Sequence, residues 1–307
     1  MYGSKMLSSR IPSVAMFIPA ITAIICLVYF KSTALTRETK LFLACFLISA
    51  GILVFEMVFY PILGTVGPYP MLSVGTSFAT LVLVVILNLK DTWRTNLEAA
   101  KLSFGKNRLL YIILPVLFSL TYIIALILSY ILGLRLPFLE FNLVLFFTTL
   151  GLPLITLVIS WPIFFGEEYG WRFYLQDRMF ALFGGYTGVV LVGLIWGLWH
   201  APLMLVGMNF PTESFLPANI VYLVYTIFVS VIFGYAVLKT GSIWIAVLLH
   251  GLIDIIINTG RVYISGADTI VSFLPVVVLL GVFALILLRS NVWTNKKTGG
   301  ENDPVTP

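Results

Sequence analysis

Apolar residues in this chain come in long runs separated by short polar stretches. Several runs reach or exceed the roughly 20 residues that a helix needs to cross about 30 Å of hydrocarbon. Backbone polar groups in lipid must be satisfied within the segment, so the runs are read as helices. The pattern predicts spans at 12–30, 41–63, 71–89, 109–133, 141–180, 184–206, 219–239, 242–260 and 270–289. At about 1.5 Å per residue the stretch 141–180 is twice too long for one crossing. Gly151-Leu152-Pro153 offers a break, so 141–152 is expected as a short interfacial or re-entrant piece and 154–180 as the span proper. The predicted fold is all-α, a polytopic transmembrane helical bundle of eight to nine spans. Residues 1–290 would form one helical domain, and 291–307 a polar cytoplasmic tail.

Composition agrees with the pattern. The 307 residues are 60% apolar and 10% charged, where a soluble domain carries about a quarter charged residues. Cytoplasmic loops retain positive charge. With the N-terminus outside and the C-terminus inside, 14 Lys and Arg fall on cytoplasmic segments and 4 outside. The net charge of +5 is explained by these flanks, densest over 90–108, which would face anionic lipid head groups and imply no nucleic-acid partner. The expected location is the cell membrane, multi-pass. Cys26 and Cys45 fall inside spans without metal-ligand spacing, and no role follows for them. The first apolar run lacks a small-residue cleavage site and reads as a retained span.

Ionisable groups inside a bilayer cost roughly 2.5–3.5 kcal/mol or more at the helix centre, so each calls for a reason. Here they are Glu56, Glu167, Glu168, Arg172, His200, His250 and Asp254, and the two histidines are the only ones in the chain. Glu167 lies about 13 residues into the fifth span and His200 about 15 into the sixth, which at about 1.5 Å per residue puts both near the midplane. His250 falls slightly below them. Glu168 and Arg172 are four apart and can pair on one helix face. Glu167, turned about 100° away, lacks that partner and suits a general base. His250, Asp254 and Asn258 repeat the four-residue spacing on the eighth span, where a carboxylate beside an imidazole would fix its tautomer. Trp196 stands four residues before His200, to shield the site or line a groove. Each group alone has a plain structural use, Glu56 as a packing or cavity residue among them. Independent structural uses would not need to share a level.

Three sequences carry a family resemblance. Glu167-Glu168-Tyr-Gly-Trp-Arg172 resembles an EExxxR motif, Trp196-Gly-Leu-Trp-His200 an aromatic-xxx-His motif, and His250-Gly-Leu-Ile-Asp254 an Hxxx(N/D) motif. Together they are similar to the CAAX protease and bacteriocin-processing family, also called Abi, which includes the CAAX prenyl endopeptidases. The resemblance covers 154–258. It implies an intramembrane glutamate endopeptidase whose site opens towards the cytoplasm and whose peptide or protein substrate enters from the cytoplasm or from lipid. It also implies that Glu167 and His200 activate a water, and that His250 with residue 254 stabilises the oxyanion. Asp254 departs from the Asn of the prenyl endopeptidases and cannot donate a hydrogen bond when ionised. His250 therefore takes that role, with Asn258 as a helper. Phe173 departs from the Gly that many members carry after the Arg, which bears on substrate equivalence. No metal is expected, because Arg172 already balances the paired acid; zinc on a His₂Glu set is the alternative. The other functional classes are a proton-coupled transporter and a bacteriocin-immunity or scaffold protein of the same fold.

Overall fold

Each predicted apolar run is helical over the residues that the structure, a computed structural model, describes: 11–30, 35–63, 71–134, 142–206, 209–263 and 269–294. In chain order the helices are α1 (Ile11–Ala15), α2 (Ile18–Phe30), α3 (Arg37–Leu63), α4 (Met71–Leu89), α5 (Asp91–Glu98), α6 (Leu110–Ile131), α7 (Leu143–Phe146) and α8 (Leu152–Glu168). They continue as α9 (Gln176–Trp199), α10 (Ala201–Leu205), α11 (Phe215–Thr240), α12 (Trp244–Tyr263) and α13 (Ile270–Leu288). π-helical turns at Phe147–Gly151 and Tyr169–Leu175 join α7 to α8 and α8 to α9. Among the described residues there is no strand, and seven helical runs are long and apolar enough to cross a membrane. One of these, Leu143–Leu205, has 63 residues. It turns at Gly184, whose φ of 75° and ψ of 171° leave the helical region. A positive φ carries no steric penalty for glycine.

The break expected at Gly151-Leu152-Pro153 is absent, since Gly151 and Leu152 both keep right-handed helical dihedrals. The chain instead widens into a π-turn, with the Leu152 N–H donating to the Phe147 carbonyl. Pro153, which lacks an N–H, follows directly in α8, and the Thr149 carbonyl one turn before it accepts from Thr259 Oγ1 at 2.6 Å. The tail expected from 291 also begins packed: Asn291–Trp293 forms a 3₁₀ turn with Trp293 buried. Residues 295–307 lie outside the described residues.

Hydrogen bonds gather the connections into two opposite ends of the bundle. At one end, Thr36 Oγ1 donates to the Asn96 carbonyl (2.8 Å). The Lys106 N–H donates to Thr240 O (2.7 Å) and the Ile243 N–H to Lys101 O (2.9 Å), while Lys101 Nζ pairs with Asp177 (2.6 Å). At the other end, Ser129 Oγ donates to Ser272 O (2.9 Å), Thr259 Oγ1 to Thr149 O (2.6 Å), and the Ile270 N–H to Glu213 Oε1 (3.1 Å). Between the ends, Phe42, Phe46, Trp161, Phe165 and Trp244 form one aromatic cluster with ring centroids 4.6–6.2 Å apart. The cluster fixes α8 and α12 against α3. Just beyond α8 the Tyr169–Leu175 π-turn meets α2 closely, because at Gly170 an added Cβ would come within 2.6 Å of the Pro19 carbonyl oxygen.

Candidate active site

The EExxxR residues sit at the junction of α8 and the π-turn, a geometry frequent at functional sites. Glu167, Glu168 and Arg172 are buried, the latter two completely. The expected pair forms: Arg172 Nε donates to Glu168 Oε2 at 2.9 Å. Arg172 Nη1 also donates to Ser230 Oγ on α11 at 2.6 Å, and Ser230 Oγ donates to the Val189 carbonyl of α9 at 3.1 Å. The guanidinium carbon stands 4.8 Å from the Trp196 ring centre and 5.4 Å from that of Phe233, close enough for cation–π attraction. Because Arg172 is spent inside the protein, it leaves the tally of loop charges, which becomes 13 against 4.

Trp196 does more than shield. Its indole N–H donates to Glu167 Oε2 at 2.9 Å, and its backbone carbonyl lies 2.9 Å from His200 Nδ1. A carbonyl only accepts, so Nδ1 carries the proton. In the neutral ring Nε2 is then left with the lone pair. One residue thereby orients both Glu167 and His200. His200 itself sits at the joint between α9 and α10 rather than within a continuous helix.

His250 is held differently from the sequence expectation. Its Nδ1 is 2.7 Å from Glu168 Oε1, so a carboxylate from α8 holds the ring, a contact between helices that the sequence expectation did not include. Spacing along one helix could not reveal this, because the partner is 82 residues away. Glu168 thus bridges Arg172 and His250.

Glu167, His200, His250, Asp254, Asn258 and Trp196 all line one cavity of about 480 Å³. Its other walls are mostly apolar and aromatic, and they include three tyrosines the sequence reading passed over. Tyr122 and Tyr225 share a 2.6 Å hydroxyl hydrogen bond, and the Tyr222 ring lies 5.1 Å from that of His200. A tyrosine hydroxyl in an apolar run needs a partner, and that was the available signal. Ser230 was missed because one serine in a span is ordinary. Glu56 is buried on α3 but does not line the cavity.

The zinc alternative required Glu167, His200 and His250 together. The cluster that forms among the described residues is Glu167, Glu168 and His250, with ligand atoms within 4.8 Å of one another. Both Glu168 oxygens are already engaged by Arg172 and His250, and His250 Nδ1 by Glu168. A zinc site needs its donors free to close to about 2.0–2.2 Å, so this donor set fits a metal poorly.

Residues 149–256 match the family model for the type II CAAX prenyl endopeptidase Rce1-like family. The chain is also similar to CAAX prenyl protease 2 of Methanococcus maripaludis, 27% identical over 140 residues that cover 40% of this chain and 51% of that protein. The chain thus spans about half the length of this curated relative. The likeness carried by the three motifs therefore extends from the first π-turn to the middle of α12.

Proposed function

We propose that this chain is a multi-pass intramembrane endopeptidase of the CAAX protease and bacteriocin-processing type, located in the cell membrane, and that it hydrolyses a peptide bond without a metal. The observation that carries the proposal is the convergence of Glu167, His200 and His250 on one cavity. Glu167 takes a proton from a water in that cavity, and the lone pair of His200 Nε2 accepts the water's second hydrogen bond. The water oxygen attacks the scissile carbonyl. His250, anchored through Nδ1 to Glu168, donates from Nε2 to the oxyanion that develops. Such a donor, fixed before the reaction, needs no reorganisation when charge appears. Collapse of the tetrahedral intermediate returns the proton to the departing amine.

The charges support this assignment. Glu168 lies between Arg172 Nε at 2.9 Å and His250 Nδ1 at 2.7 Å, so the buried groups are partnered rather than isolated. A buried ion that is paired avoids the cost of an uncompensated charge. In the proposed scheme Glu168 and Arg172 are positioning residues, and Asp254 and Asn258 line the substrate's path. No Lys or Arg lines the cavity among the described residues.

The test is cleavage by purified protein across a peptide library. Glu167→Ala and His200→Ala should each abolish cleavage while the protein still elutes as a folded, helical species in detergent. Retained cleavage in both variants would refute the assignment.

A further inference from the structure

Two expectations from the sequence conflict once the cavity is located. The N-out orientation and a cytoplasmic opening cannot both hold. The cavity is lined by the start of α1 (Ile11), by Asn209 and Phe210 between α10 and α11, by Gly260 late in α12, and by Phe273 early in α13. These belong to the end of the bundle tied together by Ser129–Ser272, Thr259–Thr149 and Ile270–Glu213. None of the lining residues comes from the opposite end, where residues 36, 96–107, 177, 239–243 and 291–294 gather. The basic residues divide the same way. Among the described residues, ten Lys and Arg (37, 40, 90, 94, 101, 106, 108, 178, 239 and 289) lie on or near the segments of that opposite end, and one, Arg261, lies on a segment of the cavity's end.

We infer that the site opens to the non-cytoplasmic side of the membrane, and that its substrate is a polypeptide exposed on that side. The physical reason is the retention of Lys and Arg in cytoplasmic loops, which counts short loops and the residues next to spans. The basic end is made of such segments, so it faces the cytoplasm, and the cavity faces away. Arg172, whose position near that end would have added to the count, is excluded as a buried ion-pair partner, and the asymmetry persists without it. This inference deepens the peptidase reading and rests on it for the word substrate. The orientation of the cavity stands without it.

The test is labelling of single cysteines with a membrane-impermeant maleimide, in full-length protein carrying Cys26→Ser and Cys45→Ser. Asn209→Cys reports the cavity mouth, Ser214→Cys the exposed rim beside it, and Lys106→Cys the opposite end. Asn209→Cys and Ser214→Cys should label in intact cells, and Lys106→Cys only in inside-out vesicles. An impermeant blocker added to intact cells should abolish later labelling of Asn209→Cys. The reverse pattern, or an Asn209→Cys reached from neither side, overturns the inference. If the cysteine-free background fails to fold, antibody access to a C-terminal epitope on the otherwise unchanged chain decides the same question, since binding in unpermeabilised cells would put the basic end outside. Labelling does not depend on cleavage, so the two readings fail separately. An active protein labelled only from the cytoplasmic side loses the outward opening and keeps the peptidase. An inert protein labelled from outside does the opposite.

Discussion

Trp196→Phe removes one N–H and little else that the site uses. Arg172 keeps an aromatic ring to lie against, and His200 keeps its hydrogen bond because that bond is made to the backbone carbonyl of residue 196. What is lost is the 2.9 Å donation from the indole to Glu167 Oε2. A hydrogen bond to a charged group contributes about 1.5–3 kcal/mol. If that interaction holds Glu167 in its reactive position, its loss lowers kcat/KM by roughly 10- to 100-fold, at about 1.36 kcal/mol per factor of ten. The loss should fall mainly on kcat, because a fixed base acts in the transition state more than in substrate binding. Packing lost with the smaller ring affects stability instead, and thermal unfolding in detergent reads it separately. The assay is steady-state cleavage of a quenched peptide identified in the library screen. A kcat/KM within about twofold of the parent, with Glu167→Gln inactive under the same conditions, would show that the indole does not position the base.

Removing one partner of a buried ion pair typically costs about 3–5 kcal/mol. Arg172→Met, which leaves Glu168 without its guanidinium, should therefore unfold at much lower temperature than the parent in the same detergent, and an unchanged melting temperature would contradict the burial described. Gly170→Ala puts a methyl group against the Pro19 carbonyl oxygen. Overpacking of this kind costs about 1–3 kcal/mol, so melting should fall, whereas Gly75→Ala, with open space around its Cβ on α4, leaves α2 in place and serves as the comparison for crowding. Cleavage should be insensitive to chelators, because the donors near Glu167 are engaged with one another; loss on chelation that zinc alone restores would overturn the metal-free scheme.

The helical class and the extent of each apolar run could be read from the sequence because both follow from the length and polarity of the runs. Counting residues along helices put Glu167, His200 and His250 at a similar level, and the three line one cavity. The Glu168–Arg172 pair was legible for the same reason, as a contact within one turn. Where local rules failed, geometry across helices had intervened. The Gly151-Leu152-Pro153 break gave way to a π-turn, which supplies the hydrogen-bonding slack that Pro153 needs without leaving the helix.

Along one chain, then, periodicity and charge decide which segments lie in lipid and which polar groups must have a reason to be there. They do not decide partners on different helices. That Glu168 meets His250 across helices, that Trp196 contacts both Glu167 and His200, and that the cavity is lined from the end of the bundle opposite residues 96–107 and 239–243 are all tertiary facts. Each depends on the rotation and separation of packed helices, which are set by side-chain contacts such as the Phe42, Trp161 and Trp244 cluster rather than by spacing within a span.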